Sequence, residues 1–66
     1  MEKILIDWLE SYTKVQGITV STKFADLNFD LFDEAMTMNF VYQQFKRKVN
    51  PPVWFTTVGE ILDVIS

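Results

Sequence analysis

The chain is predicted to be all-α, a small helical bundle of three main helices plus a short helical turn, forming a single domain over residues 1–66. Three observations carry this. Apolar residues recur at helical spacing in three separate stretches. Two of those stretches open on a capping-box pattern. The one strand-like fragment, Ile18 and Val20, has no second strand-like run to pair with. At 48% hydrophobic, 15% aromatic and 23% charged, with two glycines and two prolines, the composition is that of a globular chain. Surface scaling then predicts roughly 4,400 Å² exposed after folding, with about 60% of the unfolded chain's surface buried.

Ile4, Leu5, Trp8, Leu9 and Tyr12, with Val15 nearby, form one apolar stripe at the spacing of a helix over about residues 2–16. Glu2, Asp7 and Glu10 sit mostly off that stripe. Lys14 falls in the last turn, where the helix dipole favours a cation, and Gly17 supplies a left-handed stop. Residues 17–29 read as a loop, with Phe24 and Leu27 spaced as one helical turn pinned to the core. Asp30 is placed to cap the next helix, with Asp33 in the reciprocal position and Glu34 favouring the positive end of the dipole. That helix is predicted to run to about Lys48, with Asn50-Pro51-Pro52 ending it. Its inward stripe is read as Phe32, Ala35, Met38, Val41 or Tyr42, Phe45 and Val49. Val53-Trp54-Phe55 follows as an apolar turn or a one-turn helix, with Trp54 and Phe55 as core or lid residues. Thr57 and Glu60 have capping-box spacing, and Ile61, Leu62, Val64 and Ile65 supply the buried side of a last short helix. Too short to persist alone, it must dock on the others.

The absence of cysteine and histidine excludes a disulfide framework, a zinc site, and thiol or imidazole catalysis. Asp30/Asp33 and Asp30/Glu34 are paired carboxylates, but on an exposed first turn with no partner to shift a pKa, so no enzyme is expected. Apolar runs reach three residues, as in Ile4-Leu5-Ile6, so neither a membrane-spanning helix nor a signal peptide is expected. The net charge of −3 and the pI near 4.6 argue against nucleic acid as a partner. A cytoplasmic protein that binds other proteins is the expectation.

The segment Phe24-Ala25-Asp26-Leu27-Asn28-Phe29-Asp30-Leu31-Phe32 resembles the Phe-x-x-Leu-Gly-x-Asp-Ser-Leu signature of the acyl carrier protein family, the phosphopantetheine-binding carrier domains. Asn28 stands where glycine is usual and Phe32 where leucine is. Phe45 matches an aromatic near the end of that family's central helix, and Thr57-Val58 matches the pair opening its last helix, so the resemblance covers nearly the whole chain. It implies a four-helix bundle whose short third piece falls at Val53-Trp54-Phe55. It also implies 4'-phosphopantetheine on a serine directly after the aspartate, and that position is Leu31. Leucine has no hydroxyl to form the phosphodiester. The chain's serines, Ser11, Ser21 and Ser66, lie outside the register, and Thr37 is two turns into the central helix. No cofactor is therefore expected.

The resemblance implies a degenerate carrier-like domain, a non-acylated binding or regulatory partner in fatty acid, polyketide or related biosynthesis. Its partners would be a ketosynthase-type enzyme or another carrier protein. The docking residues it points to are Phe29, Asp30, Leu31, Asp33, Glu34, Met36 and Phe40. Met36 and Phe40 have two readings, as part of an exposed patch or as core. Asp26, Asp30, Asp33 and Glu34 cluster where a basic partner surface could be steered, although capping accounts for Asp30 and Asp33. Lys46-Arg47-Lys48 read as a complement to the helix dipole. Three alternatives stay open: a carrier modified elsewhere, a chain engineered at Leu31, and a small helical adaptor that forms a homo-oligomer.

Overall fold

The computed structural model describes residues 1–49 and 54–66. Helix α1 spans Glu2–Thr13, a 3-10 turn spans Phe24–Leu27, α2 spans Leu31–Phe45 and α3 spans Val58–Ile65. The all-α prediction is met, and the single Lys23–Thr57 bridge is the nearest approach to a sheet among the described residues. A four-helix bundle is not what forms. There are three helices among the described residues, and the fourth helical piece is the 3-10 turn before α2, not a helix after it. Trp54 and Phe55 are non-helical, while Val53 and the predicted stop at Asn50-Pro51-Pro52 lie outside the described residues. The accessible surface of 4360 Å² agrees with the scaling expectation.

Leu5 and Leu9 of α1 are fully buried, with Trp8 packed beside them and Ile4 left facing solvent. The helix stops at Thr13, short of the expected residue 16, because Lys14 itself turns left-handed at φ 63° and donates its N–H to the Glu10 carbonyl. Two side chains stabilise this early stop. Thr13 Oγ1 donates to the Leu9 carbonyl at 2.7 Å. The Glu10 carboxylate then accepts the amides of Gly17 at 2.8 Å and Ile18 at 3.0 Å, which seats Ile18 in the core. Gly17, at φ 80°, serves the loop and not the helix end.

The box at the head of α2 forms as predicted. Asp33 N–H donates to Asp30 Oδ1 at 2.9 Å, and Asp30 N–H donates to Asp33 Oδ2 at 3.0 Å. The far end comes at Phe45, where Lys46 takes the left-handed conformation, instead of at Lys48. Glu60 reaches back to the N–H groups of Thr57 and Thr56 at the head of α3. Val58, Ile61 and Ile65 turn from there into the core, joining Leu5, Leu9, Ile18, Phe24 and Val41. Leu62 packs at its edge, and Val64 faces solvent.

Beside this core packing, the start of α3 is clasped to the long loop by backbone hydrogen bonds. Phe24 N–H donates to the Thr56 carbonyl at 3.0 Å, Val58 N–H to Thr22 at 3.1 Å, and Gly59 N–H to Val20 at 2.9 Å. A Cβ at Gly59 would lie 3.1 Å from the Val20 carbonyl oxygen, so glycine permits the closest of these approaches.

The rotation of α2 about its axis differs from the expected stripe. Thr37 and Val41 are the buried residues; Met38, Phe40, Phe45 and Val49 are partly buried, while Phe32, Ala35 and Tyr42 are exposed. Two contacts with α1 set this rotation. The Phe40 ring stacks on Trp8 with centroids 4.6 Å apart and planes 11° off parallel, and Tyr12 Oη donates to Asp33 Oδ1 at 2.7 Å. With Asp33 and Phe40 both drawn towards α1, Phe32 and Tyr42 must point away. Thr37, buried beneath them, meets its hydrogen-bonding need by donating to the Asp33 carbonyl at 2.9 Å.

Candidate docking face

The outward side of α2 carries Leu31, Phe32, Ala35, Met36, Asn39, Tyr42 and Gln43, all exposed and all uncharged. These positions recur at helical spacing, so they form one continuous face. Leu31 is 83% exposed and Phe32 68%, followed by Tyr42 at 50% and Met36 at 37%. Large apolar side chains that open to solvent, grouped on one face, mark a contact surface more strongly than the same residues scattered.

The seven residues expected to dock partners divide into two groups. Leu31 and Met36 lie on the outward face, with Asp30 exposed at its head. Phe29 turns inward, 5.1 Å from the Phe24 ring and edge-on to Tyr12. Phe40 is held against Trp8, so of its two readings the structure takes the core one, and the exposed reading is corrected. Met36 takes the exposed reading. Both Asp33 oxygens are engaged within the fold, one by Tyr12 and one by the Asp30 amide, and Glu34 is partly buried. Phe32 and Ala35, read from the sequence as core, belong to the outward face, and of the alternatives Val41 and Tyr42 it is Val41 that is buried and Tyr42 that joins this face. The one sequence signal for this was that α2 is apolar on most of its sides, which leaves more apolar residues than one buried stripe can use.

Asp33 ties the head of α2 to α1 electrostatically. The Tyr12 hydroxyl first, then the Asp30 amide, hold its carboxyl below the ordinary value of 3.8. The Tyr12 phenol is pushed up to about 12 by its hydrogen bond to Asp33, with burial and the negative charges of Asp33 and Asp30 adding to it. The bond's contribution to stability is therefore complete below pH 10.0 and is lost as pH rises through about 12. On the acid side it is complete above 3.8 and is lost as pH falls through the lowered value of Asp33. In a Tyr42→Phe variant Tyr12 is the sole tyrosine. Its tyrosinate absorbance should then emerge near pH 12, and adding Asp33→Asn should bring it back towards 10.0. A titration near 10.0 without the second change would disprove the bond.

Leu31 occupies the first turn of α2. No serine lies on that helix, and Thr37, its one threonine, is fully buried with its hydroxyl committed. A hollow of about 320 Å³ lies beneath the helix head, lined by Phe24, Phe29, Glu34, Trp54, Phe55 and their neighbours. Among the described residues, no group of acidic side chains could hold a metal ion, and no helix is long and apolar enough to cross a membrane. No protein-family model, curated protein or solved structure matches the chain.

Proposed function

We propose that this is a carrier-like helical domain that works without an arm: a non-acylated binding or regulatory partner in fatty acid, polyketide or related biosynthesis, acting in the cytoplasm. The observation that carries the reading is Leu31, an apolar side chain 83% exposed at the position where the resembling family bears its modified serine. An exposed leucine at the head of an uncharged helix face suits contact with protein, and it offers no oxygen for a phosphodiester. The partners proposed are a ketosynthase-type enzyme or an authentic carrier protein. Burying a leucine contributes about 1.5–3 kcal/mol, so Leu31→Asp should weaken such a complex at least tenfold.

Two measurements test this together. After co-expression with a phosphopantetheinyl transferase, the intact mass should remain that of the encoded 7.8 kDa chain. Gain of one phosphopantetheinyl group would return the protein to the true carriers. Binding to a ketosynthase and to a carrier protein from the same source should be lost in Leu31→Asp and Met36→Glu. Binding that both variants retain would place the contact elsewhere and overturn the reading.

A further inference from the structure

Helix α2 is bipolar. Its head carries the exposed Asp30, with Asp33 and Glu34 turned to the inner side, and its tail is followed by Lys46, Arg47 and Lys48, all three exposed. Lys3–Asp7 is the ion pair found among the described residues, so no carboxylate there neutralises the three bases. Between the two ends runs the uncharged face from Leu31 to Gln43. A uniformly basic surface laid along this helix would be attracted at the head and repelled at the tail, and an acidic surface the reverse. Both ends are satisfied together by a surface that is apolar in the middle and charged in the opposite order.

A second copy of α2, turned end for end, is such a surface. We propose that the chain forms a two-fold symmetric homodimer through antiparallel packing of α2 on α2, with the axis passing near Asn39. Phe32 of one copy lies over the aliphatic stem of Lys46 of the other, with Leu31 beside it, and Ala35 and Met36 face Gln43 and Tyr42. Asp30 at the head of each helix comes opposite the basic segment that follows its mate's tail, and the two helix dipoles are opposed. The geometry also sets the strength. The 15 residues of α2 rise about 22 Å, and one helix face of that length covers a few hundred Å², short of the ~800 Å² per partner of a standard interface. The dimer is accordingly reversible, and it competes with any other protein that docks on this face.

Sedimentation equilibrium from about 10 µM to about 1 mM spans the range in which such an interface populates. Wild type should pass from monomer to dimer. Phe32→Glu should weaken dimerisation more than tenfold while keeping its helical circular dichroism, since Phe32 is 68% exposed. Lys46→Glu with Arg47→Glu should weaken it as well. Because the chain has no cysteine, geometry can be read by oxidation. Asn39→Cys should form a disulfide-linked dimer. Leu31→Cys should not, its two copies lying about 24 Å apart along the axis. A wild type that stays monomeric throughout, or a dimer indifferent to Phe32→Glu, would overturn the proposal. Cross-linking through Leu31→Cys would mean parallel packing and overturn it equally. The carrier-like reading does not enter this test, so either can fail without the other.

Discussion

Phe24→Ala is expected to leave the chain without a cooperative thermal transition above room temperature. Phe24 is 2% exposed and stands where the loop, the 3-10 turn and the approach to α3 meet. Its ring lies 5.1 Å from Phe29 and 5.3 Å from Trp54, and its amide donates to Thr56. Truncating a buried phenylalanine costs about 3–5 kcal/mol. A domain of this length has on the order of 3–10 kcal/mol in total, so the loss takes most of the stability. The loop's other anchors, Ile18 and the backbone clasp to α3, hold it in place and do not fill the space. Thermal melting followed at 222 nm decides it, and a sharp transition shifted by only a few degrees would show that Phe24 does not hold the turn in place.

The second large effect is expected at Leu9→Ala, in a helix instead of a loop. Leu9 is fully buried in α1, and the change should cost about 2–5 kcal/mol. For a domain this small each kcal/mol moves the midpoint by about 4–8 °C, so a fall of at least about 8 °C is expected. Leu31→Ala is the matched comparison: the same chemical change at an exposed site should stay within about 0.5 kcal/mol. Equal losses at the two leucines would contradict the burial that separates them.

The difference between those leucines also shows what could be read from the sequence. The stripe of α1 was legible because its polar residues are concentrated on one side, which fixes the buried side at Leu5 and Leu9. Both helix heads were legible because Asp30 with Asp33, and Thr57 with Glu60, satisfy backbone donors by short-range chemistry that spacing reveals. The turn at Phe24 and Leu27 was legible for a similar reason. The orientation of α2 was not. Apolar residues occur on most of its sides, so periodicity cannot choose between a helix resting on Phe32 and Ala35 and one resting on Thr37 and Val41. The choice is made by Trp8 and Tyr12, on a different helix and far away in sequence. The helix ends at Lys14 and Lys46 were hidden because lysine is an uncommon residue in the left-handed conformation. The candidate face shows the same ambiguity: Leu31 and Met36 are exposed as expected, Phe32 is exposed although read as core, and Phe29 and Phe40, expected to dock, pack inward.

The backbone clasp between residues 20–24 and 56–59 bears on the order of folding events. A helix as short as α3 does not persist by itself, and the loop contributes no repeating structure with which to hold its own shape. Each becomes ordered only in the presence of the other, across more than half of the chain. With the packing of α1 on α3 in the core, the clasp is among the contacts with the longest loops to close, and chain-closure entropy makes such contacts kinetically late. The clasp therefore belongs with the α1–α3 contacts to the chain-closing part of folding. When the domain opens, its loss releases the last helix and the loop together, leaving α1 and α2 as the remaining partners.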